Sequence, residues 1–159
     1  MPLEKQVWDV MDSKYDLITP ETPLIEACSV LGLAGKEKPG IPGLVVVRAS
    51  GEYLGILTVK DILSYLIDLH KQSKKEGREE DWLSRLHDQD PDEALITVND
   101  AMVNVDVLVR PNQKIIEVLQ LLEDLDVDFL PVADTEKIIG VVRSTAILAE
   151  IAPKSQPRG

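Results

Sequence analysis

The strongest constraint on this chain is that it is written twice. Val7-Trp8-Asp9-Val10-Met11 returns as Val98-Asn99-Asp100-Ala101-Met102, an offset of 91 residues (Val7 to Val98). At that offset Leu17 meets Leu108, Pro20 meets Pro111, and Leu24-Ile25-Glu26-Ala27 meets Ile115-Ile116-Glu117-Val118. Further on, Gly55-Ile56-Leu57-Thr58-Val59-Lys60-Asp61 stands against Gly140-Val141-Val142-Arg143-Ser144-Thr145-Ala146, an offset of 85 (Gly55 to Gly140). The first copy is six residues longer in between, and the excess is expected in Gly35-Lys36-Glu37-Lys38-Pro39-Gly40, a loop by its Gly, Pro and Lys content. Neither copy has enough surface to bury alone, which favours two copies packed on one another.

Each copy reads as strand, helix, strand, strand, helix. The opening strands are Asp16-Leu17-Ile18 and Val107-Leu108-Val109. In the first copy Thr22 is placed to cap a helix, with Pro23 at its first position and Glu26 completing a capping box. That helix runs to about Leu33, with Leu24, Ala27, Cys28 and Leu31 on one face. Its counterpart spans Lys114 to Asp124 and lines up Ile115, Val118, Leu119 and Leu122. Leu44-Val45-Val46-Val47 and Phe129-Leu130-Pro131-Val132 are apolar throughout, as strands buried on both faces are. Hairpins through Ser50-Gly51 and Asp134 to Lys137 follow, and closing helices run from Val59 to about Lys71 and from Ser144 to Ile151. The architecture expected is α+β with an α/β-like alternation. Its parts are a first repeat over 5–69, a charged and partly helical linker over 70–95, a second repeat over 96–151 and a frayed tail over 152–159. In the linker, Glu79 to Leu86 can form a short amphipathic helix, read as a solvated helix or as a surface carrying Trp82 against a partner.

Composition removes several classes of function. A net charge of -11 argues against sequence-independent nucleic-acid binding and against an anionic membrane surface. The single cysteine, Cys28, excludes an internal disulfide and a cysteine-rich zinc site, and its place on an apolar helix face suits inert packing. Met1-Pro2-Leu3-Glu4-Lys5 does not read as a signal peptide and no apolar run spans a bilayer, so a cytoplasmic protein is expected. His70 and His87 lack a convergent ligand set. The acidic run Glu123 to Asp128 lacks the glycine and terminal glutamate of a calcium loop. No catalytic triad, phosphate-binding loop or dinucleotide fingerprint is present, so catalysis is not expected.

The residues with chemistry lie in Gly55 to Asp61. Thr58 and Asp61 are spaced as a helix-start pair, and their pattern is a weak capping box. The same carboxylate, on the first turn, can accept from two adjacent ribose hydroxyls. Thr58 and the unused N–H groups of the helix start can meet a phosphate, and Gly55 permits close backbone approach. The two roles can coexist. In the second copy Arg143 replaces Thr58 and Ala146 replaces Asp61. Ala146 offers nothing to a ribose, while Arg143 can pair with a phosphate.

On these motifs the repeated unit resembles the CBS domain, named after cystathionine β-synthase, and the chain resembles a complete tandem pair. The matching features are Val-x-Asp-Val-Met, Pro-x-x-x-Leu-x-Glu-Ala, Gly43-Leu44-Val45-Val46-Val47 with Phe129-Leu130-Pro131-Val132, and the apolar-Thr-x-x-Asp ending at Asp61. The resemblance implies two β-α-β-β-α repeats packed with pseudo-two-fold symmetry, and assembly as a homodimer. It also implies clefts that take adenosine-containing ligands such as AMP, ADP, ATP or S-adenosylmethionine, with regulation of a partner protein as the output and no required cofactor. Carried over, the first site comprises Gly55, Ile56, Thr58 and Asp61, walled by Asp106 and Val107 of the second repeat's opening strand. The second and weaker site comprises Asp16, Leu17, Arg143 and Ser144. Few basic residues stand near the first site, Lys60 and Lys14 at most, which makes AMP or an uncharged-tail nucleoside easier to accept than ATP. The rival expectation is a structural or protein-interaction module whose clefts are vestigial.

Overall fold

The structure is a computed structural model that describes residues 4–37, 43–77, 86 and 95–152. Its contacts divide the chain into two compact units, one of Asp16–Asp106 and one of the residues up to Tyr15 together with those from Val107 onward. Both are mixed α+β.

The Asp16–Asp106 unit contains β1 (Leu17–Ile18), α1 (Leu24–Glu37), β2 (Gly43–Val47), β3 (Tyr53–Thr58), α2 (Val59–Lys75) and the short α3 (Val98–Ala101). Its sheet has the order β1-β2-β3. β1 runs parallel to β2, with Leu17 opposite Val45, and β2 runs antiparallel to β3 from Gly43 opposite Thr58 to Val47 opposite Tyr53. β2 is buried along its whole length, as its unbroken apolar run requires. Leu24 and Ala27 of α1, Leu44, Val46 and Leu57 of the sheet, and Ile62 and Leu69 of α2 form one aliphatic core with Ile96, Val98 and Ala101. Leu86 joins that core at 4% exposure. The rest of the expected linker helix, Trp82 included, lies outside the described residues, as do His87, Lys38 to Gly40 and the tail from Pro153.

The second unit holds a 3-10 turn at Val7–Asp9, α4 (Ile115–Leu125), β4 (Phe129–Asp134), β5 (Lys137–Arg143) and α5 (Ser144–Ile151). β4 and β5 form a hairpin with Phe129 opposite Arg143. α4 is capped at its C-terminus by Asp126, which takes the left-handed conformation (φ 53°) and turns the chain within the acidic run.

Each unit thus incorporates the opening segment of the other repeat, and the two do so with the same hydrogen bonds. The Leu24 N–H donates to Ile96 O (3.0 Å) in one unit and the Ile115 N–H to Lys5 O (2.9 Å) in the other. Val98 N–H to Thr22 O is matched by Val7 N–H to Gln113 O, both 2.8 Å. Asn99 N–H to Pro20 O is matched by Trp8 N–H to Pro111 O, both 2.9 Å. Ile56 and Val103 exchange both backbone bonds, and so do Val141 and Asp12. The repeat seen in sequence is therefore a repeat of backbone contacts, while the compact units cut the chain at different places from the repeats.

Four local expectations change. α1 continues to Glu37, so Gly35 to Glu37 are helical rather than loop. Thr22 does not cap α1: its hydroxyl bonds to that of Thr19 (2.7 Å), because the first helical N–H, that of Leu24, is taken by the Ile96 carbonyl. α2 runs to Lys75, where Lys74 and Lys75 suit the negative helix end, before Gly77 turns the chain at φ +71°. The strand expected at Val107–Val109 shrinks to one parallel bridge, Val109 opposite Val132. In β2, Val45 N–H donates to Asp16 O (3.1 Å). The matching residue of β4 is Pro131, which has no N–H to give to Val107.

Candidate functional site

Thr58 ends β3 and caps α2. Its backbone is extended (φ -102°, ψ 164°), and its Oγ1 accepts from Asp61 N–H (3.1 Å). Asp61 answers through one oxygen: Oδ2 accepts from Thr58 N–H (2.9 Å) and from the Thr58 hydroxyl (2.7 Å). The capping box is thus complete. The bonds described at this carboxylate use Oδ2, which leaves Oδ1 for an outside donor. Both residues are half-buried at the N-terminus of a 17-residue helix, where peptide N–H groups and the helix dipole favour an anion.

Gly55 and Ile56 are buried beneath this pair, Ile56 at 0% exposure. Gly55 does serve a close backbone approach, but the backbone is the chain's own: a Cβ there would collide with the Val103 carbonyl. Asp106 is exposed in the same unit, and Val107 is the first residue of the other unit's long segment. Gly55, Ile56, Thr58, Asp61 and Asp106 therefore share one unit.

Asp106 also lines a cavity of about 780 Å³ at the far end of the β2–β3 hairpin, together with Tyr53, Glu21, Arg48 and Asn99. Thr58 and Asp61 are not in its wall. Arg48 is held by Glu52 (2.9 Å). The Tyr53 hydroxyl is buried and has no hydrogen-bond partner among the described residues. Burial, and secondarily the Asp106 charge, push its pKa well above the ordinary tyrosine value. Sequence reading passed over Tyr53 as a functional residue. Its signal is a polar-tipped side chain where the second copy has Ile138, at the head of the apolar run Leu54 to Leu57.

The residues assigned to the second site are divided between the units. Asp16 and Leu17 lie in the Asp16–Asp106 unit; the Asp16 carbonyl accepts from Val45 N–H, and the Leu17 side chain is 51% exposed. Arg143 and Ser144 open α5 in the other unit. Arg143 Nη2 donates to Asp12 Oδ2 (3.0 Å), and Ser144 N–H donates to Asp128 O (2.8 Å). No side-chain hydrogen bond from Arg143 caps this helix, and its first turn carries no acidic residue, since Ala146 stands where Asp61 would. The sequence reading missed Asp12. The clue lay in the alignment, which sets Asp12 against Val103.

Cys28 is half-buried against the Asp16–Asp106 core, and burial raises its thiol pKa, in keeping with packing rather than nucleophilic use. Among the described residues, no three His, Cys, Asp or Glu side chains gather to hold a metal ion, and no helix is long and apolar enough to cross a membrane.

The fold and these repeated contacts define a CBS-domain protein. The CBS domain matches residues 7–68 and again 98–153, and the chain belongs to that family as a tandem pair. Solved structures agree in fold. An uncharacterised conserved protein from Pyrococcus horikoshii is 18% identical, with 99% of this chain and 100% of that one aligned at a TM-score of 0.69. CBSX2, solved in complex with AMP, is 21% identical over 92% of this chain and 95% of that one (TM-score 0.62). The cytosolic domain of the Mg2+ channel MgtE, solved in complex with ATP, is 22% identical over 92% of this chain (TM-score 0.62), and this chain spans only 48% of it. Among curated proteins none matches the sequence.

Proposed function

We propose that the chain is a non-catalytic regulatory module that binds one adenosine-containing ligand, AMP first among them, at Thr58 and Asp61, and that it acts in the cytoplasm. The observation that carries this reading is the division of labour at Asp61. Oδ2 is used by the helix cap, so the carboxylate is fixed in place, and Oδ1 remains to accept from a ribose hydroxyl. The phosphate would meet the α2 N-terminus beside Thr58. Gly55 and Ile56 set the floor, and Asp106, in the same unit, offers backbone groups to the adenine edge. CBSX2 and MgtE, solved with AMP and ATP, support the ligand class. The scarcity of basic side chains near Thr58 supports a monophosphate. Titration calorimetry with AMP, ADP, ATP and S-adenosylmethionine tests it. AMP should bind most tightly, and folded protein that binds none of the four would refute the proposal.

The reading includes a homodimer. Val59, Leu63 and Ile67 recur every four residues along α2 at 46%, 55% and 54% exposure, an apolar stripe on a helix whose other exposed positions are mostly polar. A second copy presenting the same stripe covers it isologously. Light scattering should give twice the chain mass and return to the chain mass in Leu63→Glu. If the stripe holds a dimer and no adenosine ligand binds, the interaction-module reading replaces the sensor.

A further inference from the structure

The ligand position of the second repeat carries a built-in anion. α5 starts where α2 starts in the first repeat, and both starts lie next to the same backbone bridge: Ile56 with Val103 in one unit, Val141 with Asp12 in the other. In the first unit the bridging residue is Val103, whose side chain brings no charge to Thr58. In the second, two changes occur together. Thr becomes Arg143, and the bridging Val becomes Asp12, so a cation and an anion appear in the register that lets them meet.

They do meet, at 3.0 Å from Arg143 Nη2 to Asp12 Oδ2, with side chains 27% and 34% exposed. The other oxygen, Oδ1, accepts from the Lys14 backbone N–H at 2.8 Å. Both oxygens of Asp12 are thus engaged, and the backbone of the residue is locked by its two bonds to Val141, at 2.8 and 2.9 Å. The carboxylate is therefore held rigidly against the guanidinium. A phosphate approaching Arg143 would have to compete with this carboxylate for the guanidinium and would sit beside it as a second negative charge.

From this we infer that Asp12 stands in for the ligand's phosphate at the second repeat, so that Arg143 is a structural cation and the chain takes one nucleotide, not two. The inference rests on the proposed function for its stoichiometry, but the masking of Arg143 can be tested without it.

The experiment has two arms. In the first, calorimetry of AMP with the full chain should give one site per chain, and two sites would overturn the inference. In the second, the Arg143 side-chain resonances are followed by NMR while inorganic phosphate is added. They should stay still in the wild type and move in Asp12→Ala and in Asp12→Asn, with phosphate affinity at least roughly ten-fold higher in the variants. Asp12→Asn preserves the size of the side chain and covers the case in which Asp12→Ala fails to fold. Equal movement in wild type and variants, or none in a folded variant, would overturn the inference. Failure of AMP to bind anywhere would remove the proposed function and leave the phosphate arm intact.

Discussion

The carbonyl oxygen of Val103 occupies the space that a side chain at Gly55 would need, and the carbonyl of Asp12 stands in the same relation to Gly140, 2.7 Å from where a Cβ would lie. The two glycines are therefore where the opening segment of one repeat is seated on the strand of the other. Gly55→Ala should destabilise the protein by about 1–3 kcal/mol, since the obstruction is backbone and not a side chain that can swing away. Gly140→Ala should cost less, because its carbonyl stands further off. Gly32, exposed in α1 with nothing within 4 Å of the place a methyl group would take, supplies the control: Gly32→Ala should stabilise by about 0.5–1 kcal/mol. Urea unfolding of the three variants checks the order.

Thr58 and Asp61 share a cap and, by the proposed function, a ligand, and two substitutions separate these roles. Thr58→Ala removes the acceptor for the Asp61 N–H and should cost about 1 kcal/mol of stability. Asp61→Asn keeps an acceptor for the Thr58 N–H but loses the charge, so stability should change by less than that. AMP affinity should nevertheless fall at least ten-fold, about 1.4 kcal/mol. Calorimetry and thermal melts on the same samples decide; affinity and stability falling in step would reduce Asp61 to a cap.

What could be read in advance follows from how local each cause is. The apolar runs of β2 and β4, the amphipathic faces of α1 and α4, and the Thr58–Asp61 box depend on neighbours in sequence, and all are present. The extents that differ depend on distant partners. Thr22 lost its capping role to a carbonyl far along the chain, that of Ile96, and the Val107–Val109 strand was shortened by a proline in another strand. The pairing of Arg143 with Asp12, 131 residues apart, is the same kind of effect: each residue was visible, but only the Val141–Asp12 bridge shows that they meet.

Pro131 yields a prediction of its own. Val45 donates to Asp16 O, and β4 cannot make the matching bond. In Pro131→Val the new amide at position 131 should find the Val107 carbonyl and exchange slowly with solvent, as is expected of the bonded Val45 amide. The added bond contributes about 1 kcal/mol, offset in part by the freedom that proline removed from the unfolded chain. Hydrogen exchange by NMR measures this directly, and fast exchange at position 131 would mean that the opening segment is held away from β4 by something besides the missing donor.

Tyr53 makes stability depend on alkaline pH. Its hydroxyl is buried beside Asp106, and both burial and that charge raise its pKa above the ordinary value of about 10. Because the folded state holds this proton more tightly than the unfolded chain does, the stabilisation is complete below pH about 10 and is lost as pH rises above it, when the unfolded tyrosine ionises first. Cys28, raised by burial from 9.0, acts in the same direction from a slightly lower pH. Urea midpoints between pH about 8 and 11 should therefore fall in the wild type, fall less in Asp106→Asn and least in Tyr53→Phe. At neutral pH, Tyr53→Phe should be neutral or stabilising, since the hydroxyl it removes has no hydrogen-bond partner among the described residues. A neutral-pH loss above about 1 kcal/mol would show that the hydroxyl is bonded, and an unchanged alkaline slope would place the titrating group elsewhere.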